Sequence, residues 1–158
     1  MKTSTTSRKL MAVDDDFDIT FTLKRNLERR GFSLDVYNDP TEALTNFKPD
    51  YYDLLLLDVK MPKMNGFELY REINKIDRNV KVCFFTAYEA FYYTLRKQFP
   101  NLNTGWQIGK PINISDLVIK INEVKLREVL LNQLGFDSIN NIFYLKNVKT
   151  DKYNKSPS

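Results

Sequence analysis

The stretch Leu54-Leu55-Leu56-Leu57-Asp58-Val59-Lys60-Met61-Pro62-Lys63-Met64-Asn65-Gly66 decides the fold. Four consecutive leucines show no two-residue alternation, which is the habit of a strand buried on both faces of a parallel sheet. The run ends on a carboxylate, Asp58. Pro62, Asn65 and Gly66 then mark a loop, and Leu69, Ile73 and Ile76 follow at helical spacing. Strand, loop and helix in that order make one βα unit.

The unit repeats along the chain. β-prone runs occupy residues 9–13, 32–37, 53–58, 80–86 and 106–108. Between them lie amphipathic segments with their own punctuation. Ile19, Leu23 and Leu27 share a face that stops at Gly31. Asp39-Pro40-Thr41-Glu42 offers a cap, a first-turn proline and a capping-box glutamate. An aromatic-rich helix is expected near residues 89–99, before Pro100. Asn113 or Ser115 opens the last helix, which carries Leu117, Ile121 and Val124. Five βα units imply an α/β fold with a parallel, doubly wound sheet of flavodoxin-like or Rossmann-like order.

With 158 residues, 42% hydrophobic and 28% charged, the chain suits one soluble domain with an extension. Residues 1–7 read as a flexible N-terminus and 8–134 as the domain. Residues 135–158 read as a basic, largely disordered extension, too short to be an output domain. No apolar run approaches the ~20 residues of a membrane span, and the polar N-terminus lacks a signal-peptide core. One cysteine, Cys83, sits in an apolar strand as a core residue and fits a reducing, cytoplasmic setting. The absence of histidine removes His-based triads and His-ligated metals. The net charge of +4 is spread along the chain, so a nucleic-acid surface is not expected. Salt-sensitive DNA retention through the tail would speak for one.

In open α/β sheets, ligands sit at the carboxyl ends of the strands. Asp14-Asp15-Asp16 follows the first strand and Asp58 ends the third. Thr86 ends the fourth, and Lys110-Pro111 follows the fifth. Clustered carboxylates repel one another unless protonated or neutralised by a cation, and oxygen-only donors in an open site suit Mg²⁺. Asp58 can then act as a carboxylate nucleophile, with Lys110 and the Thr86 hydroxyl offsetting phosphoryl charge.

These motifs, taken together and in this order, resemble the CheY-like receiver family over roughly residues 8–126. The segment 54–69 is similar to its phosphoacceptor segment and Met11-Ala12-Val13-Asp14-Asp15-Asp16 to its acidic pair. Phe85-Thr86-Ala87 resembles its hydroxyl motif and Gly109-Lys110-Pro111-Ile112 its lysine motif. The resemblance implies a five-stranded (βα)5 sheet of order 2-1-3-4-5. It also implies Mg²⁺ held by Asp15, Asp58 and the Lys60 backbone carbonyl, with Asp14 acting through water, and a cis Lys110–Pro111 peptide. A sensor histidine kinase or phosphotransfer protein would supply the phosphoryl group, and an unidentified protein would read it. The receiver itself would catalyse only its own phosphorylation and dephosphorylation.

Three features depart from the family pattern. Gln107 stands three residues before the lysine, where the family carries a switching ring. The neighbouring Trp106 replaces that ring only if a bulge near Gly105 shifts the register. Lys60 and Tyr88, two residues after Asp58 and Thr86, would hinder water and lengthen the life of the phosphorylated form. Phe91-Tyr92-Tyr93 reads equally as packing or as a partner surface. Leu126, Leu130 and Leu134 extend the last helix and either pack back on the domain or form a homodimer contact. The alternative functions are a phosphate-independent pseudo-receiver and a Mg²⁺-dependent aspartyl-phosphate phosphohydrolase. The second would need an acid/base aspartate where Lys60 stands.

Overall fold

The computed structural model describes residues 7–86, 90–98, 100 and 107–134. Five strands, β1 (Lys9–Val13), β2 (Ser33–Tyr37), β3 (Leu54–Asp58), β4 (Val82–Thr86) and β5 (Gln107–Gly109), alternate with five helices. These are α1 (Phe17–Glu28), α2 (Pro40–Thr45), α3 (Gly66–Ile76), α4 (Ala90–Gln98) and α5 (Ile114–Leu134). All strand pairs are parallel, in the order β2-β1-β3-β4-β5. That is the flavodoxin-like order. The fifth strand lies one residue later than expected, at 107–109 rather than 106–108, and Trp106 lies outside the described residues.

All five β3 residues are buried, which accounts for the unbroken leucine run. Alternation divides them between two cores. Leu55 and Leu57 join Met11, Val13 and Phe84 under Phe67, Leu69 and Ile73 of α3. Leu54 and Leu56 join Leu10, Ala12, Cys83 and Phe85 under Leu23 and Leu27 of α1 and Leu117 and Ile121 of α5. Each fully buried leucine contributes roughly 2 kcal/mol, so this strand anchors both layers. Burial also pushes the Cys83 thiol up to about 12, in keeping with a core residue.

Local signals set where the helices begin and end. Asp39 caps α2, its side chain accepting from the Thr41 N–H and hydroxyl at 2.8 and 2.6 Å. The reciprocal capping box forms at α3, between Asn65 and Glu68, and not at Asp39–Glu42 as the sequence suggested. Asn113 accepts from the Asp116 N–H at the start of α5. Gly31, at φ 85°, turns the chain out of α1 into β2, a conformation open to glycine at little cost.

Ile76 does not follow the expected α3 stripe. It is 52% exposed, while Phe67 and Tyr70 are buried. The buried face is centred on Gly66, Tyr70 and Ile73, and at 3.6 residues per turn Ile76 falls on its margin. Along α5, Leu117, Ile121 and Val124 are buried as expected. Leu126, Val129 and Leu130 are exposed, so the extension does not pack back on the domain through them.

A carboxylate cluster at the sheet's carboxyl edge

Strand order places the site. β1 lies between β2 and the central strand β3, so the connections leaving β1 and β3 diverge and open a crevice at their carboxyl ends. Asp14 and Asp15 follow β1 directly, and Asp58 is the last residue of β3. Their carboxylate oxygens lie within 4.8 Å of one another. Asp14 and Asp58 are only 1% and 4% exposed, whereas Asp15 faces solvent. The Lys110 ammonium reaches in from the end of β5, 2.9 Å from Asp14 Oδ2 and 3.1 Å from Asp58 Oδ1. The Lys110–Pro111 peptide is cis.

The charges do not balance. Three carboxylates face one ammonium, and two of the three are buried. Burial first, then the charge of Asp14, pushes the Asp58 carboxyl up to about 6, against the pull of Lys110. Burial draws the Lys110 ammonium down, yet its bonds to Asp14 and Asp58 hold it above its ordinary value. A compact, oxygen-only pocket with surplus negative charge, one wall open at Asp15, fits a hard divalent cation.

The surrounding backbone holds this geometry. Asp14 Oδ1 accepts the Asp16 N–H at 2.9 Å, and Asp16 in turn caps α1. Gly66 N–H donates to the Val59 carbonyl at 2.9 Å, folding the loop back against the end of β3. A Cβ on Gly66 would collide with the Asp58 carbonyl oxygen and press within 3.2 Å of Val59 Cα. Lys63, with φ at 69°, pairs with the Asp39 cap of α2 and ties the same loop down.

Most of the expected residues converge. Asp14, Asp15, Asp58 and Lys110 meet, and Lys60 follows two residues after Asp58 in the loop. Thr86 ends β4 opposite Gly109 of β5, one residue beyond the Phe85–Asp58 pairing. Gln107 pairs with Phe84 at the start of β5. Tyr88 and Trp106 fall outside the described residues. Tyr93 on α4 is 77% exposed, consistent with the surface reading for that ring.

Sequence reasoning missed Asn38 and Thr20. The Asn38 amide donates to the Asp14 carbonyl at 2.8 Å and to the Thr20 hydroxyl at 2.9 Å, bracing Asp14 from behind. Its position directly after β2, on the same sheet edge, was the available signal.

Comparison with known proteins identifies the family of this fold. The family model described as the response regulator receiver domain matches residues 10–122. The "Transcriptional regulatory protein CpxR homolog" of Haemophilus influenzae is 36% identical over 125 residues, which cover 75% of this chain and 51% of that protein. The chain thus spans about half the length of that relative. The "Response regulator receiver protein CpdR" of Brucella abortus is 27% identical over 117 residues, 74% of this chain and 96% of that one. A CheY-like receiver from Methanospirillum hungatei superposes with TM-score 0.67 at 28% identity, covering 78% of this chain and 98% of its own. The Thermotoga maritima regulator TrrA, solved in complex with Mg²⁺ and BeF, has TM-score 0.61 and 27% identity, covering 74% of this chain and 98% of its own. Fold and matched length agree: the chain belongs to the response regulator receiver family of two-component systems.

Proposed function

We propose that Asp58 accepts a phosphoryl group from a histidine kinase or phosphotransfer protein, and that the phosphorylated receiver is read by a partner protein. The observation that carries this reading is the convergence of Asp58, Asp14, Asp15 and Lys110 at the switch point of the sheet. An Asp58 carboxylate oxygen attacks the donor's phosphorus. The donor P–N bond breaks as the new P–O bond forms, and the imidazole leaves with the bonding electron pair. Lys110 already bonds an Asp58 oxygen, so its ammonium stands where charge gathers on the phosphoryl group. Thr86, at the end of β4, would donate its hydroxyl to a phosphoryl oxygen.

Asp15 and Asp58 would hold Mg²⁺, with Asp14 acting through water and the Lys60 carbonyl as a further ligand. Bound there, the ion supplies charge neutralisation for the transferring oxygens. Asn38 and the Gly66 turn keep Asp14 and Asp58 in place without touching the donor. Lys60 beside the acceptor, and Tyr88 beyond Thr86, would slow attack of water on the acyl phosphate.

Incubation with Mg²⁺ and acetyl phosphate, followed by intact mass, tests the proposal. One phosphate adduct is expected, absent when Mg²⁺ is chelated. A folded, metal-binding protein that never acquires the adduct would overturn it.

A further inference from the structure

A second cavity lies at the opposite pole of the sheet, where the strands begin. Its volume is about 360 Å³, within the range of small-ligand pockets, roughly 300–1,000 Å³. Leu10 and Leu54, at the amino ends of β1 and β3, line its base together with Ile121 and Val124 of α5; all four are buried. Arg8, Lys9 and Lys125 also line it, against the carboxylates of Asp50 and Asp53.

The Asp53 carboxylate offsets part of this positive charge. It accepts the Lys9 N–H at 2.8 Å, and its charge acts on both Arg8 and Lys81. Two of the cations are held in place rather than free in solvent. Arg8 Nη1 donates to the Ile121 carbonyl at 2.9 Å, fixing the guanidinium against α5. The Lys9 ammonium lies 4.0 Å from the centre of the Tyr51 ring, whose face attracts it. Lys48 adds a further positive charge 4.9 Å from the same ring. With three cations against two carboxylates on its lining, the cavity pairs an apolar base with an excess of one positive charge, which favours an anion with an apolar body.

We infer that this cavity binds a small amphipathic carboxylate, its hydrocarbon part among Leu10, Leu54, Ile121 and Val124 and its charge among Arg8, Lys9 and Lys125. Such a ligand bridges the start of β1 and β3 to the middle of α5. Four residues of strand, roughly 13 Å, separate it from the acidic cluster. The inference does not depend on phosphoryl transfer at Asp58.

Titration of the full-length, isotope-labelled protein with sodium 4-phenylbutyrate at fixed ionic strength, followed by amide NMR, tests it. Saturable shifts are expected at Lys9, Tyr51, Ile121 and Lys125. The amine analogue 4-phenylbutylamine should not saturate. Lys125→Glu, at an exposed position, should weaken binding roughly fivefold or more, and Lys9→Gln should weaken it too. Asp58→Asn should bind as the parent does. Failure to saturate, equal binding of the amine, or unchanged affinity in both lysine variants would each overturn the inference.

Discussion

Asp58 carries two consequences of being a carboxylate placed between burial and a second buried carboxylate. Its folded-state pKa of about 6 lies above the ordinary 3.8, so between those values the native state binds more protons than the unfolded chain. Stability of the metal-free protein should therefore fall as pH rises from about 4 through about 6, and then level off. Asp58→Asn should remove most of this slope and raise the neutral-pH melting temperature, as measured by thermal melts in chelator across that range. Gly66 makes a different prediction. Gly66→Ala places a methyl group against the Asp58 carbonyl, backbone that cannot swing away, and should cost about 1–3 kcal/mol. It should also slow labelling of Asp58 by acetyl phosphate, since the acceptor's own peptide has to move. Lys60 and Tyr88 bear on lifetime: the label should persist for minutes or longer, and decay of the phosphorylated sample within seconds would contradict their proposed role.

The elements show what a one-dimensional pattern reveals. Asp14, Asp15, Asp58 and Lys110 were legible because each follows a hydrophobic run, and parallel strands carry their ends to one edge. Asn38 was not, because its value lies in reaching Asp14 and Thr20, which only the packing of β2 beside β1 brings near. The helical period gave α3 its apolar face but not the centre of that face, which leaned toward Tyr70 and left Ile76 at the margin. On α5 the leucine spacing continues past Val124 although nothing covers Leu126 or Leu130 among the described residues. The two halves of that helix should respond differently to truncation. Ile121→Ala should cost about 2–5 kcal/mol, and Leu126→Ala should stay within about 0.5 kcal/mol of the parent in urea denaturation. Concentration-dependent stabilisation by Leu126 would instead indicate a contact between copies.

For the molecule as a whole, the sheet keeps Asp58 buried while Asp15 leaves one side of the pocket open to solvent. A cation bound to the native cluster and not to the unfolded chain stabilises the fold, by roughly 2.7 kcal/mol at a hundredfold excess over its Kd. Mg²⁺ should thus raise the melting temperature, and Asp15→Ala should abolish most of that rise while leaving the buried core intact. The central claim, that the cluster exists to phosphorylate Asp58, has a more direct test. The protein is labelled with acetyl phosphate and Mg²⁺, then reduced with borohydride, which converts an aspartyl phosphate to homoserine, and the modified residue is read by peptide sequencing in the mass spectrometer. The account predicts homoserine at position 58 alone, and none in Asp58→Asn. Homoserine at another aspartate, or an unmodified Asp58 in a folded protein that still binds Mg²⁺, would contradict it.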